Sequence, residues 1–361
     1  MYIYLDNAAT TRQHPAVTDV MAKTASEDFF NSSALYPPSV VVKNKIQVAR
    51  EVILKKLGGN SGDLVFTSGA TESNNMVIFG KATKRTRILC LEGEHSSVYA
   101  PVKYLKDNGY DITIIPLQSD GRANLGDIRG VYDLVLFGLV NSDTGTIQDA
   151  KAIVQSLRRS FPKAHIHCDA TQAFCKIPFN VVELDLDSAS ISGHKICGPK
   201  GIGALYLKKG VHLDPIMLGG GQQPIRPGTE NNPAVLGFAK AVEVFNTNEN
   251  FAHVSALHAH LIKSLPQGVT VNGINNNPYI TNLQLSGRVL GQTVLNALAI
   301  DGILVGLGSA CSGSNKSRTL SAMGISDQRA KQVLRISFCP ENTAAEVDNF
   351  ISKLSEILKK F

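Results

Sequence analysis

Between about residues 60 and 210, short apolar runs rich in β-branched residues alternate with segments whose apolar residues recur at helical spacing. This alternation is typical of an open, mostly parallel sheet with helices on both faces. The predicted strands are Leu64–Thr67, Arg87–Leu91, Ile112–Pro116, Asp133–Val140, Ala164–Cys168, Ser188–Ser192 and Gly203–Leu207. The predicted helices are Ser39–Leu57, Thr71–Arg85, Ser97–Asn108, Ala150–Ser160 and one from Pro233 to about Thr247.

The pattern predicts an α/β protein with two domains. A large domain, residues 15–247, holds a mostly parallel seven-stranded sheet between helices. Residues 1–14 and 248–361 form a smaller α+β domain. A chain of 361 residues is long enough to give both domains a core.

Composition excludes several classes of protein. Hydrophobic residues make up 43% and charged residues 18%, without a biased tract, so disorder, collagen and coiled coil do not fit. The longest apolar stretch, Leu134–Val140, is too short to span a bilayer, and the first residues carry no export signal. We therefore expect a soluble, cytoplasmic protein that does not associate with membranes.

Charge and cysteine content restrict the kinds of partner and ligand that we expect. The net charge is +6, but the basic residues are dispersed, apart from Lys81–Arg87, and no aromatic residues alternate with them. We expect solvated faces, suited to an acidic protein partner, and no direct nucleic-acid binding. The six cysteines show no CxxC pair and no metal-ligand spacing, which predicts reduced thiols and no metal site.

Polar groups follow five of the predicted strands. In parallel sheets the ligand crevice lies beyond the carboxyl ends of the strands, so these groups are expected to share one site. They are Ser68-Gly69-Ala70-Thr71, Glu94-His95, Asn141, Asp169 with Gln172, and Ser192-Gly193-His194-Lys195.

The chemistry of this set favours pyridoxal 5′-phosphate. Lys195 does not lie in a Walker motif, and the nearby GIGALY lacks the third glycine of a dinucleotide fingerprint. Pyridoxal phosphate needs a lysine for a Schiff base, a carboxylate for its ring nitrogen and a helix N-terminus for its phosphate. Lys195, Asp169 and the Ser68–Thr71 turn meet these needs. The structural alternatives are helix caps at Ser68, Thr71 and Asp169.

Several segments resemble one family, the pyridoxal-phosphate-dependent cysteine desulfurases of the class V aminotransferases. The segments are YLDNAATT, TSGATESNN, EHSSV, HCDATQ, SGHKICGPKGIGALY, RPGTEN, GSACSG and LRIS, in the order of the family. GSAC resembles the group I branch. The resemblance implies a fold type I enzyme, a homodimer that uses pyridoxal phosphate, and a sulfur-acceptor protein as its partner.

The resemblance also implies a role for each matching residue. Lys195 would be the Schiff-base lysine, Asp169 the partner of the ring nitrogen, and Gln172 the donor to the phenolic oxygen. His95 would stack on the ring and carry a proton, although a lone histidine is more often structural. The residues implied at the phosphate are Ala70, Thr71, Ser192, His194 and, from the other subunit, Thr229.

The substrate residues follow in the same way. Arg335, in VLRIS, would grip the α-carboxylate of L-cysteine with its planar fork, and Asn141 would orient the substrate. An ordinary ion pair is the alternative for Arg335. Cys311 lies in a Gly/Ser-rich segment typical of an exposed, mobile loop, where a cysteine can be a nucleophile.

We therefore expect conversion of L-cysteine to L-alanine, with a persulfide on Cys311 and sulfur transfer to an acceptor. One alternative is a selenocysteine lyase or another class V enzyme with the same cofactor. Another is a sulfur-transfer subunit that depends on a partner for activity. The presence of Cys311 favours a desulfurase over a transaminase, because a transaminase needs no nucleophilic thiol.

Overall fold

The structure is a computed structural model and describes residues 2–223, 225–274, 276–308 and 317–360. Its strands are β1 Ile3–Tyr4, β2 Asp63–Thr67, β3 Arg87–Leu91, β4 Asp111–Ile115, β5 Leu134–Gly138, β6 His165–Asp169, β7 Ser188–Ser192, β8 Gly203–Leu207, β9 Thr270–Asn272, β10 Ile280–Gln284, β11 Ile303–Leu304 and β12 Val333–Ser337. Its helices are α1 Pro15–Glu27, α2 Pro37–Leu57, α3 Ala70–Lys81, α4 Ser96–Asp107, α5 Ala150–Ser160, α6 Asn232–Val244, α7 Thr247–Lys263, α8 Gly291–Ile300, α9 Arg318–Ala322, α10 Asp327–Ala330 and α11 Ala344–Leu358.

Seven strands form the central sheet, in the order β2-β8-β7-β6-β5-β3-β4. Only β8 runs antiparallel to its neighbours β2 and β7, and the remaining pairs are parallel. The predicted fold class, an α/β protein with a mostly parallel seven-stranded sheet, is confirmed. The ten residues between β7 and β8, 193–202, explain the reversal, since a parallel crossover needs a dozen or more residues.

Alternate residues of the sheet face two separate hydrophobic clusters. Val65 and Leu134 pack on the side of α3 and α4, while Phe66 and Val135 pack on the side of α2 and α6. Strands buried on both faces read as continuous apolar runs, which is why the sequence shows these strands so clearly.

Two smaller sheets lie outside the central one. Strands β9, β10 and β12 form an antiparallel sheet with β10 in the middle, and β1 pairs in parallel with β11. Asp6 also bridges to Ser337, so the first residues of the chain are joined to its last third. The predicted domain boundaries, at residues 14/15 and 247/248, stay a prediction.

The sequence reasoning missed helix α1. Pro15 occupies its first turn and the His14 ring nitrogen Nδ1 accepts from the Ala16 backbone N–H, a start signal of proline after a cap residue. Among the described residues, no helix combines the length and the apolar character needed to cross a bilayer. The five described cysteines are free and buried.

Candidate active site

A cavity of about 570 Å³ opens beyond the carboxyl ends of the central strands. It brings together the predicted site residues Ala70, Thr71, His95, Asn141, Asp169, Gln172, Ser192, His194, Lys195 and Arg335. Thr229 is exposed and does not line the cavity of its own chain. Cys311 lies outside the described residues, but Gly308 and Arg318, on either side of 309–316, both line the cavity.

The N-terminus of α3 forms one end of the cavity. No side chain caps this helix, because Gly69 occupies the cap position, and a Cβ there would meet nothing within 4 Å. The backbone comes this close to β8 because residue 203 is glycine: a Cβ on Gly203 would lie 2.7 Å from the Gly69 Cα. Free N–H groups and the helix dipole favour an anion here.

Two side chains from the end of β7 face the same region. Ser192 is buried at the last position of the strand, and His194 lies in the turn that follows. Burial and the neighbouring Lys195 lower the pKa of His194 to about 4, so the ring is a neutral hydrogen-bonding group at neutral pH. The Glu72 carboxylate accepts a hydrogen bond from the adjacent Ser68 N–H at 2.6 Å and forms an ion pair with Arg226 at 2.8 Å.

The amine of Lys195 is held by backbone carbonyls from the start of the chain. Its Nζ donates to the Ala8 oxygen and, at 2.8 Å, to the Ala9 oxygen. Gln172 Nε2 donates to the same Ala8 oxygen at 2.9 Å, and Gln172 Oε1 accepts from the buried Lys176 at 3.0 Å. Burial lowers the pKa of Lys176 to about 8. Residues 8–10 were missed by sequence analysis because backbone acceptors have no residue-type pattern.

Asp169 ends β6 and is held from two sides. Its Oδ1 accepts from the Thr171 N–H at 3.0 Å, as the predicted alternative of a cap requires, but residues 171–176 form turns and not a helix. Its Oδ2 accepts from Asn74 Nδ2 at 2.8 Å. The carboxylate therefore caps this turn and still lines the cavity, so the capping contact and a role at the cavity are compatible.

His95 lies at the N-cap of α4, where its Nδ1 accepts from the Ser97 N–H at 3.2 Å. The ring is exposed to the cavity. Desolvation by the surrounding protein lowers its pKa, and Lys195 lowers it further, while Asp169 opposes the shift. His95 is therefore neutral at and above neutral pH.

Arg335 is buried on β12 and fixed by two partners. Its Nη2 donates to Asp6 Oδ1 at 2.7 Å and its Nη1 to the Ser142 oxygen at 3.1 Å. Its Nε is buried and has no partner among the described residues. An unpaired donor on a buried guanidinium that lines a cavity fits an anionic ligand.

Asn141 lines the cavity, but its described hydrogen bonds stabilise its own turn and join that turn to Gly93 and Thr319. Its Oδ1 accepts from the backbone N–H groups of Asp143 and Thr144 at 2.9 and 3.0 Å, and its Nδ2 donates to the Gly93 oxygen at 3.1 Å. Its predicted contact with the substrate stays a prediction.

Two further residues line the cavity: Glu94, which sequence analysis placed at the site with His95 but gave no role, and Arg318, which it did not name. Burial raises the pKa of Glu94 to about 8, and its Oε1 accepts from the Gly138 N–H at 2.8 Å. Arg318 lies 3.9 Å from the centre of the Tyr99 ring and donates to the Glu94 carbonyl oxygen at 2.8 Å.

The donor set fits pyridoxal phosphate. An uncapped helix N-terminus with Ser192 and His194 suits a phosphate, Asp169 suits a protonated ring nitrogen, and Lys195 suits a Schiff base. A cavity of about 570 Å³ has room for a cofactor and a small substrate.

Comparisons with known proteins cover nearly the whole chain. A sequence model of the family described as Aminotransferase class-V matches residues 3–350. The chain is 32% identical to cysteine desulfurase IscS of Dictyoglomus turgidum, over 99% of this chain and 95% of the relative. The solved structure of a NifS-like protein superposes with a TM-score of 0.93 at 32% identity, covering 100% of both chains. The structure of SspA in complex with cysteine superposes with a TM-score of 0.83 at 31% identity, covering 94% of this chain and 100% of SspA.

Proposed function

Because the chain belongs to the class V aminotransferase family and is a cysteine desulfurase that uses pyridoxal 5′-phosphate, we propose that it desulfurates L-cysteine in this cavity, with Lys195, His95 and Cys311 as the catalytic residues. The family inferred from the motifs is thereby confirmed. The observation that carries the proposal is the single cavity that collects an uncapped helix N-terminus, Asp169, Lys195 and Arg335.

The cofactor residues follow from the chemistry of each wall. When bound, pyridoxal phosphate supplies an electron sink for the negative charge left when the substrate loses its α-proton. Asp169 would keep the ring nitrogen protonated, and Gln172 would donate to the phenolic oxygen. Ala70, Thr71, Ser192 and His194 would hold the phosphate, with Thr229 reaching it from a second copy of the chain.

The substrate would be gripped by its carboxylate. Asp6 and Ser142 each accept from one of the five N–H groups of Arg335, which leaves three, and its Nε has no described partner. Asn141 would orient the substrate beside it. With the carboxylate held, the amine of Lys195 would take the α-proton as a general base, and His95 would supply a proton to the product.

Sulfur would leave the substrate through Cys311. The thiolate attacks the sulfur of cysteine, and the substrate Cβ–S bond breaks as an S–S bond forms, with its electron pair left on the carbon side. Addition of one proton at Cβ and return of one at Cα then give L-alanine. The persulfide then passes its outer sulfur to an acceptor protein. Gly308 and Arg318 line the cavity, so the segment that carries Cys311 begins and ends beside the proposed substrate site.

The remaining parts of the proposal concern the assembly and its place in the cell. Thr229 is exposed and does not line the cavity of its own chain, which supports a homodimer in which each copy completes the other's phosphate site. The five described cysteines, which are free and buried, support a cytoplasmic location.

Mass spectrometry after addition of L-cysteine tests the proposal. The protein should gain one sulfur that reductant removes and that maps to Cys311. Cys311→Ser should abolish this gain and lower alanine production by orders of magnitude, because a serine hydroxyl is not a thiolate nucleophile. Ser312→Ala is the matched control and should retain activity. Wild-type desulfuration in Cys311→Ser, or a persulfide on Cys339, would overturn the assignment.

A further inference from the structure

A continuous chain of hydrogen bonds runs beneath the cavity from the central sheet to His95. Apart from His95, its members are at least nine-tenths buried. They are His165, Ser188, His167, Asn74, Ser97 and His95, joined in that order. None of the inner members contacts the cavity except Ser97, so the function described above does not explain them.

The direction of these bonds is set at Asp169. An ionised carboxylate has only acceptors, so Asn74 Nδ2, 2.8 Å from Asp169 Oδ2, must donate to it. The second hydrogen of this amide goes to Ser97 Oγ at 2.8 Å. A flipped amide would place two oxygens 2.8 Å apart with no hydrogen between them. The Asn74 Oδ1 is thus fixed toward the sheet.

On the sheet side, each ring must donate through Nε2. Asn74 Oδ1 can only accept, so His167 Nε2, 2.9 Å away, carries a hydrogen, and Ser190 Oγ at 3.3 Å is a second, more distant acceptor for it. Burial lowers the pKa of His167, so its ring is neutral and Nδ1 is bare. This Nδ1 accepts from Ser188 Oγ at 2.8 Å, and Ser188 Oγ in turn accepts from His165 Nε2 at 2.7 Å.

On the cavity side, the directions of the hydrogen bonds determine the tautomer of His95. Ser97 Oγ accepts from Asn74, so its own hydrogen is available for His95 Nδ1 at 2.8 Å. The Ser97 backbone N–H donates to the same Nδ1 at 3.2 Å. With two donors aimed at Nδ1, the hydrogen of the neutral ring sits on Nε2. No described residue accepts from this Nε2, and the ring lines the cavity.

We propose that His167 is a positioning residue which, through Asn74 and Ser97, keeps His95 in its Nε2–H tautomer and so makes it a proton donor to the cavity. In this state His95 can donate to a negative charge in the cavity, but its Nε2 cannot first accept a proton. The same Asn74 amide holds Asp169, so His167 acts on the acid partner and on the proton donor together. The proposal rests on the proposed function only in placing Asp169 and His95 against the cofactor.

Ring ¹⁵N spectra of the unmodified protein test the tautomers directly, both with and without bound cofactor. We expect His95, His165 and His167 all to be protonated at Nε2 near pH 7.5, with peaks assigned from histidine-to-glutamine variants. His14, whose Nδ1 accepts from the Ala16 N–H, is the internal control for this tautomer. A hydrogen on Nδ1 of His95 or His167 would overturn this proposal. It would not contradict the proposed desulfurase function, which alanine production tests separately.

A pair of variants tests the positioning role. In His167→Gln the new amide can still donate to Asn74 Oδ1, whereas His167→Leu leaves that oxygen buried without a donor. We expect His167→Leu to weaken binding of pyridoxal phosphate and to lower kcat, each on the order of tenfold, with KM nearly unchanged. His167→Gln should restore both to within about threefold, since it replaces the hydrogen bond.

The controls are His253→Leu and His253→Gln, because the exposed His253 also donates to an oxygen, the backbone oxygen of Asn342 at 2.9 Å, and does not line the cavity. Neither should change cofactor affinity. The positioning role is refuted if His167→Leu folds with unchanged cofactor affinity, or if the leucine and glutamine variants are equally impaired. If His167→Leu fails to fold, the ring spectra of the unmodified protein still decide the matter.

Discussion

Replacing Arg335 by lysine should raise the KM for L-cysteine much more than it lowers kcat. Lysine keeps the positive charge but has one nitrogen, so it cannot contact Asp6 and Ser142 and also present two N–H groups to a carboxylate. The buried Arg335 Nε, which has no partner among the described residues, is the donor expected to complete that two-point contact.

The size of the effect follows from the contact that is lost. One hydrogen bond to a charged group contributes about 1.5–3 kcal/mol, and each 1.36 kcal/mol changes an equilibrium tenfold. KM should therefore rise roughly ten- to hundredfold, while kcat should change by less than about fivefold because the reacting atoms are untouched.

Steady-state sulfide release in the presence of reductant, measured with L-cysteine and with its methyl ester, separates carboxylate recognition from general damage. The unmodified enzyme should prefer the acid strongly, and Arg335→Lys should lose most of that preference, because the ester lacks the group that the fork recognises. Arg87→Lys is the matched control, since Arg87 also pairs with an aspartate, Asp133, but in an exposed position. An unchanged KM with a large fall in kcat, or an undiminished preference for the acid, would refute the reasoning.

Two other results are expected. Borohydride reduction of the yellow holoenzyme should fix the cofactor on Lys195, and peptide mapping that finds it on another lysine would move the site. The pKa of Glu94, raised to about 8 from 4.5, means that the folded protein keeps a proton that the unfolded chain loses, so unfolding free energy falls as pH rises between those values. In urea titrations of the cofactor-free protein, Glu94→Gln should reduce the slope of unfolding free energy against pH by up to about 1.4 kcal/mol per pH unit. Parallel plots of unfolding free energy against pH for the two proteins would show that the pKa of Glu94 is not raised.

The parts of the site that sequence reasoning located are side chains that immediately follow strands. Asp169 ends β6 and Lys195 lies three residues after β7, so a correct strand assignment was enough to place both at one edge. The antiparallel β8 was also readable in principle, since ten residues between β7 and β8 leave no room for a parallel crossover.

The parts that were missed depend on contacts between distant segments. The carbonyl groups of Ala8 and Ala9 hold Lys195, but a backbone oxygen looks the same in every residue. Asn74 and His167 occupy a helix and a strand where polar residues have many ordinary roles, and only the distances between them reveal a chain. The raised pKa of Glu94 arises from burial, which sequence spacing does not report.

The attachment of the first residues to the last third of the chain has a consequence for synthesis. Asp6 and Arg335 are 329 positions apart, and Ala8 and Lys195 are 187 apart. A nascent chain can close the central sheet once residue 207 has left the ribosome, but it cannot fix Arg335 until nearly the whole protein has been translated. Because contacts of such high sequence separation form late, the substrate pocket matures after the cofactor-facing sheet. Pulse-labelled chains should therefore acquire protease resistance in the sheet before they can bind cysteine.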